Sequence, residues 1–354
     1  MLPNKTNINK DKVKKILIIK LRGIGDVILS TVVLDNLQKD FPNAEIHFLT
    51  EPPSLAALEK IPSIKSILLF KKSSFLSGLI LIFQVFLKRF DLIFDFYSNP
   101  RSALITFLSR AKYRAGFPYR GRSYAYNIKG PSVRDKFHAA QLHLEFLKEI
   151  GLSFESKELH FGLSEDDKLF SEQFFNDKFV SNDFVVGLSP SGGWQSKKCD
   201  PIKFAEIGDE IVKKYNAKIL ILWGPGDKKE ALEISKLMKN KIVLAPLTDI
   251  RKMAALIQNC NMIVANDSGP MHIATAVKTP TLSLHGPTNP YLQGPFGDKH
   301  EWIRLDELDC IECNLLDCPK HHECFINLPL NRIMEKIAII ISKNNLKPLL
   351  NETT

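Results

Sequence analysis

The chain reads as an α/β protein of two tandem, doubly wound, Rossmann-like domains, and three observations predict this. Apolar β-type runs alternate with amphipathic helical stretches along most of the 354 residues, the pattern of a parallel sheet covered on both faces. The alternation stops near Gly151, passes through a charged stretch and starts again. The length also exceeds what one hydrophobic core usually supports. Domains are expected over residues 12–165 and 166–335, with residues 336–354 a terminal helix and tail.

In the first half KILIIK (residues 15–20) is a buried strand, followed by the turn Arg22-Gly23-Ile24-Gly25-Asp26 and an amphipathic helix to about Lys39. AEIHFLT, SILLF and DLIFDFY supply the next strands. A helical piece after Pro52 and Pro53 and the apolar helix FLSGLILIFQVFL (residues 75–87) separate them, and a helix over residues 138–150 closes the half. Residues 163–183 are charged and helical and are read as a hinge. The second half runs FVVGLSP, AKILILWG, IVLAP, MIVAN and PTLSLHG as strands, with helices over residues 201–215, 228–239, 249–259 and 271–276. Folds of this class bind ligands at the carboxyl ends of their strands, so the site is expected in the cleft between the domains. The closing stretch LNRIMEKIAIIISKNN is an amphipathic helix expected to cross back to the first domain.

The segment MIVANDSGPMHIATAV (residues 262–277) has the grammar of strand, tight turn and helix N-terminus. Ser268 suits a cap, Gly269 lets a ligand approach the backbone, and Pro270 suits the first helical position. Unpaired N–H groups and the helix dipole make such a turn an anion seat; an ordinary capped helix is the alternative. Gly23-Ile24-Gly25 invites a dinucleotide reading and fails its fingerprint, because Ile28 stands at the third glycine position. That argues against a nicotinamide oxidoreductase. The same turn puts Asp26 at a helix start, where the dipole favours a carboxylate. It is then either a structural N-cap or a general base facing the cleft.

The formal charge of +9 is localised: between positions 101 and 136, nine lysines and arginines stand against the single acid Asp135. Nucleic acid would suit such a patch, but no DNA- or RNA-reading motif accompanies it. The N-terminal tail is polar and basic, and ILIIKL is too short for a signal-peptide core. The run at 75–87 falls short of the roughly 20 residues a bilayer needs, so a cytoplasmic protein is expected. That run is read as a buried helix, with a membrane-surface contact the alternative because Lys88 and Arg89 adjoin it. Of six cysteines, Cys310, Cys313, Cys318 and Cys324 cluster in CIECNLLDCPKHHEC with His321 and His322. In a cytosolic protein such clustering suggests metal or redox chemistry before structural disulfides. Cys310 and Cys313 have a zinc-like spacing, whereas Cys318 and Cys324 lie wider than a usual knuckle; structural zinc is the alternative reading, and no metal or other cofactor is assigned.

Four motifs together, KxxxIGD after the first strand, SPSGGWQSKKCDP, WGPGDKKEA and NDSGPMHIATAVKTPTLSLHGPTNP, resemble glycosyltransferase family 9, the ADP-heptose:lipopolysaccharide heptosyltransferases. The resemblance covers residues 15–333 and implies a GT-B fold and transfer of heptose from ADP-heptose, with inversion, to the lipopolysaccharide inner core. It implies that Asp26 is the catalytic base and that Lys198 contacts the donor phosphates, with Lys197 the fallback because Asp200 stands where the family has tryptophan. Asp267, Ser268 and Gly269 match the donor turn. His272, a helical turn further on, is taken to reach the diphosphate or simply pack. Ser189, Ser191 and Gly192 should line the same pocket, and Trp223 to Asp227, Glu230 and Thr248 lie near the expected adenosine, with core packing the alternative for Trp223 and a surface charge for Glu230. On the acceptor side Gly25, Arg114, Arg120, Arg122 and His138 are expected to meet an anionic acceptor bearing Kdo carboxylates and lipid A phosphates, at the cytoplasmic face of the inner membrane. Half of the arginines are expected to touch nothing. Closure of the domains is expected to exclude water from the reaction. A transferase of the same fold using another nucleotide-sugar, or a non-catalytic nucleotide-sugar-binding relative, is the alternative.

Overall fold

The protein was analysed as a computed structural model, which describes residues 8–71, 75–119 and 121–348. The chain divides into two compact units, one ending at Gly162 and one beginning at Leu163.

The first unit runs β1 (Lys15–Ile19), α1 (Ile24–Ser30), α2 (Leu34–Asp40), β2 (Glu45–Thr50), α3 (Leu55–Leu58), β3 (Ile64–Leu69), α4 (Phe75–Lys88), β4 (Leu92–Asp95), α5 (Pro100–Leu108), β5 (Tyr113–Gly116), β6 (Ile128–Lys129) and α6 (Ala139–Glu149). The strands form one parallel sheet in the order β3-β2-β1-β4-β5-β6, with Ile16 of β1 opposite both Ile46 and Leu92. The near-continuous apolar run of β1 follows from helices covering both faces: Ile16, Leu17, Ile18 and Ile19 are all fully buried. The single helix expected up to Lys39 is broken by a 3-10 turn at Thr31–Val33. There the Ser30 and Thr31 hydroxyls donate back to Val27 and Ile28 carbonyls at 2.7 and 2.6 Å, and such bonds compete with the helical ladder. The segment read only for its charge contains α5, β5 and β6, strands too short to give a periodic signal.

The second unit runs α7 (Glu165–Lys178), β7 (Val185–Ser189), α8 (Pro201–Tyr215), β8 (Lys218–Ile221), α9 (Lys228–Leu237), β9 (Ile242–Leu244), α10 (Ile250–Asn259), β10 (Met262–Asn266), α11 (Gly269–Ala276), β11 (Thr281–Leu284), α12 (Pro290–Gln293), β12 (Glu301–Ile303), α13 (Glu323–Ile326) and α14 (Leu330–Lys343). Its sheet, β12-β11-β10-β7-β8-β9, repeats the first unit's order when counted from β7. Such an order reverses direction at one point, here between β7 and β10, and the crevice beyond the strand ends there is the usual ligand site. The stretch read as a hinge is α7, which has a Ser164–Asp167 capping box and packs on α10 of the same unit, with Ser171 donating to the Ala255 carbonyl at 2.9 Å. Within the second unit the terminal helix packs on β11, β12 and α8. Its buried stripe of Ile333, Ile337 and Ile340 finds its partners there, and Lys336 reaches Glu301 of β12 at 2.9 Å.

Candidate active site

In the second unit the residues after β7 and β10 are tied together at the point where the strand order reverses. Asn266, the last residue of β10, donates from Nδ2 to the Pro190 carbonyl at 2.9 Å and accepts at Oδ1 from the Cys199 N–H at 3.3 Å. This holds the loop carrying Lys197 and Lys198 over the start of α11. Asp267 is buried, and its Oδ2 meets the Lys197 ammonium at 2.7 Å and accepts from the Thr288 hydroxyl at 2.6 Å. Burial pushes the Asp267 carboxyl up, but His285, Lys197 and Thr288 outweigh it and hold it below its ordinary value. His285 is pushed down to about 4, by burial first of all, so it stands neutral at pH 7. Thr288 gives its proton to Asp267, so the His285 Nδ1 facing it at 3.5 Å carries a hydrogen, and Nε2 accepts from Ser283 at 2.9 Å.

Lys198 lies in a second, adjoining network. Its ammonium sits 2.6 Å from Glu230 Oε1 and 3.3 Å from Asp227 Oδ1, and Asp227 accepts from the Ser191 hydroxyl at 2.6 Å. Burial lowers the Lys198 pKa, the two carboxylates more than reverse that, and the net shift is upward. Gly192 makes room for this lysine, since a Cβ there would come within 2.6 Å of Lys198 Cγ. The expected donor residues Ser191, Gly192, Lys198 and Glu230 are therefore brought together, and Asp267 is joined to Lys197, the residue expected only as a fallback.

Ser268 and Gly269 open α11, but the Ser268 side chain does not cap the helix as expected. Its Oγ donates backwards to the Asn266 carbonyl at 3.3 Å. His272 is buried one turn into α11, Ser189 is fully buried at the end of β7, and Thr248 is half-buried ahead of α10. Trp223 is core: it is buried and donates to the Ala245 carbonyl at 2.7 Å. His285 and Thr288 were missed, although the end of an apolar strand in a doubly wound fold is the place to look for such groups.

The cysteine segment backs the lysine loop, because the Ser196 N–H donates to the Leu316 carbonyl at 3.0 Å. Cys310, Cys313, Cys318 and Cys324 line one small cavity of about 20 Å³ with Ser196 and Gly286, and all six cysteines are free. The Cys324 thiol is pushed up to about 12 by burial and by the other three sulfurs. Among the described residues no group of three or more His, Cys, Asp or Glu side chains is placed to hold a metal ion.

In the first unit Asp26 is the third residue of α1, whose N-cap is Gly23, so Asp26 is not an N-cap. Gly23 has φ of +78°, and a Cβ there would lie 2.8 Å from Asp26 Oδ2. The Asp26 side chain is 54 % exposed and sits 3.3 Å from the ammonium of Lys20, itself 7 % exposed. Lys20 is the lysine of the KxxxIGD motif, to which the sequence reading gave no role; a lysine inside an otherwise buried strand run was the available signal. Gly25 is buried within α1. His138 caps α6, its Nδ1 accepting from the Ala140 N–H at 3.1 Å. Arg114 donates to the carbonyls of Ala125 at 3.0 Å and Ala111 at 2.8 Å, bracing the β5–β6 connection. Arg122 donates to the Tyr119 carbonyl at 3.2 Å. Arg120 lies outside the described residues.

Two parallel sheets of identical strand order, the second with a helix N-terminus and two lysines at its switch point, are the two-domain α/β architecture of the GT-B fold. Residues 81–322 match glycosyltransferase family 9 (heptosyltransferase). The chain belongs to this family. Among similar sequences, the lipopolysaccharide core heptosyltransferase OpsX of Haemophilus influenzae is 26 % identical over 302 residues, 83 % of this chain and 85 % of that protein. Among solved structures, the glycosyl transferase family 9 protein of Veillonella parvula superposes with a TM-score of 0.80 at 19 % identity, covering 93 % of this chain and 97 % of the other. The E. coli ADP-heptose LPS heptosyltransferase II gives 0.75 at 19 % identity, covering 94 % and 99 %. At these identities the two structures speak for the fold.

Proposed function

We propose that this glycosyltransferase moves heptose from ADP-heptose to an inner-core lipopolysaccharide acceptor of the Kdo–lipid A type, with inversion and without a metal. The observation that carries the reading is the Lys198–Glu230–Asp227–Ser191 network beside the Asp267–Lys197 pair at the switch point of the second unit. Two lysine ammonium groups, held in place by carboxylates, thus stand beside a helix N-terminus, where they and its backbone N–H groups can meet a diphosphate. The names of the relatives supply the sugar and the acceptor.

In this account Asp26 takes the proton of the acceptor hydroxyl as its oxygen attacks the anomeric carbon. The bond from that carbon to the β-phosphate oxygen breaks, and ADP leaves with the electron pair. Lys198 and the backbone N–H groups at Ser268 and Gly269 take up the growing charge, the electrostatic term that usually dominates such catalysis. Asp267 holds the sugar, with Ser189, Ser191, Gly192, Glu230, Thr248 and His272 around the nucleotide. Gly25, Arg120, Arg122 and His138 meet the anionic acceptor, with Arg114 supporting their loop. The enzyme works at the cytoplasmic face of the inner membrane, where such an acceptor is anchored.

A panel of nucleotide-sugars in thermal unfolding tests this. A ligand at 100 times its Kd adds about 2.7 kcal/mol, so ADP-heptose and ADP should raise the midpoint while UDP- and GDP-sugars and NADH leave it unchanged. A uridine or guanosine sugar binding more tightly than ADP-heptose would point to another donor.

A further inference from the structure

We propose that the outer face of α4, continued by α5, is the surface on which the protein docks to an anionic phospholipid bilayer. The proposal takes the membrane from the acceptor reading above, but its location rests on the surface itself.

The helix α4 is apolar on both sides. Its inner side is core, with Leu81 and Val85 at 3 % and 0 % exposure packed among Leu17, Ile93 and Phe90. On the outer side Leu76, Ile80, Phe83 and Leu87 are 64 %, 50 %, 60 % and 59 % exposed, at positions i, i+4, i+7 and i+11, which is one continuous stripe. A surface helix of a water-soluble fold carries polar residues there. The neighbouring α5, in contact with α4, extends the patch with Phe107, 46 % exposed and set edge-on to Tyr124 at 5.6 Å. Scattered apolar residues need no explanation, but a contiguous patch of large ones marks an interaction site.

Charge selects the partner. From Lys60 to Arg134 the only acidic residues are Asp91 and Asp95. Asp95 is fully buried, and Asp91 accepts from the backbone N–H groups of Lys14 and Lys15 at 2.8 and 2.9 Å. The apolar stripe is edged by cations: Arg110 lies over the Phe86 ring at 5.4 Å and Arg101 over Phe70 at 6.0 Å, while Lys88 ends the helix and Arg89 follows it. An apolar face with a basic border fits the headgroup–acyl boundary of an anionic leaflet. A second copy of the same face would bring two basic borders together, at a cost in like-charge repulsion. Among the described residues no helix is long and apolar enough to cross a membrane, so α4 lies in the interface plane.

The test is flotation of the full chain with vesicles of phosphatidylglycerol and phosphatidylcholine, against vesicles of phosphatidylcholine alone, at low and high salt. The wild type should float with the anionic vesicles at low salt and be released as salt rises. Ile80→Ser with Phe83→Ser should cut partitioning by about tenfold or more, since two large side chains no longer enter the acyl boundary. Arg89→Glu with Arg110→Glu should abolish the preference for phosphatidylglycerol. Both variants should keep the wild-type melting temperature, ADP affinity and transfer to an acyl-free acceptor. Equal flotation with both vesicle types, no flotation of the wild type, or an apolar variant that partitions like wild type would overturn the proposal. So would a wild-type dimer that the apolar variant splits, or loss of transfer to the acyl-free acceptor in a variant that still folds. A chain that floats as described yet transfers no heptose would leave docking intact and refute the catalytic reading alone.

Discussion

Asp267→Asn removes one half of the most enclosed ion pair in the candidate site. The Lys197 and Asp267 side chains are 12 % and 5 % exposed and lie 2.7 Å apart. Asparagine keeps an oxygen for Thr288 but leaves the Lys197 ammonium with the Trp194 ring face, 4.6 Å away, in place of a carboxylate. Removing one partner of a buried pair costs about 3 kcal/mol, roughly two powers of ten in the unfolding equilibrium. Trp194, Trp223 and Trp302, the only tryptophans, all lie in the second unit, so tryptophan fluorescence in urea reads that unit by itself. With a slope of about 3 kcal/mol per molar urea, the midpoint should fall by about 1 M. Lys197→Met should cost a similar amount, and the double variant clearly less than the sum, because neither charge is then stranded. The Asp267 pKa is held down in the fold, so its contribution is complete above the unfolded carboxyl value near 4 and is lost as pH falls through the folded value. The Asn variant should therefore lack part of the wild-type acid limb below about pH 4. Midpoint losses under about 0.3 M, or strictly additive single variants, would refute the idea of a coupled buried pair.

Three further outcomes are expected. Lys198→Met should weaken ADP binding and slow transfer by about a hundredfold, since one cation on the departing diphosphate is removed; calorimetry with ADP and a transfer assay check both, and wild-type ADP affinity would put the diphosphate elsewhere. Gly23→Ala should cost about 1–2 kcal/mol for a side chain at positive φ and disturb Asp26, lowering kcat while ADP affinity holds. His285 and His300 are both pushed down to about 4, burial first, so they fold neutral while the unfolded chain takes up protons from about pH 6.5. The stability of the second unit should thus be full above pH 6.5 and decline towards pH 4, and a tryptophan-monitored urea midpoint unchanged between pH 7 and 5 would contradict this.

The doubly wound architecture was legible because buried parallel strands such as β1 and β10 are uninterrupted apolar runs, which no helix period explains. The strand, turn and helix start at Asn266 to Pro270 were legible for the same local reason, since Asp-Ser-Gly-Pro ends a strand and starts a helix in one step, although the Ser268 side chain does not cap that helix. Partnerships were not. Nothing in the spacing of KKCDP says that Lys197 meets Asp267 while Lys198 meets Glu230 and Asp227, because those distances are set by how three loops converge at the sheet's switch point. The two-residue β6 and three-residue β12 were invisible because strands that short carry no period. The apolar helix at 75–87 was read as buried on composition alone, and only the fold separates its core side from its exposed one.

The central claim assigns base chemistry to a carboxylate in the first unit and the leaving group to the second, and transfer by Asp26→Asn alongside calorimetry with ADP tests it most directly. Loss of the base should lower kcat by at least about a hundredfold while ADP binds the variant as tightly as it binds the wild type. Normal turnover by the Asn variant would contradict the account.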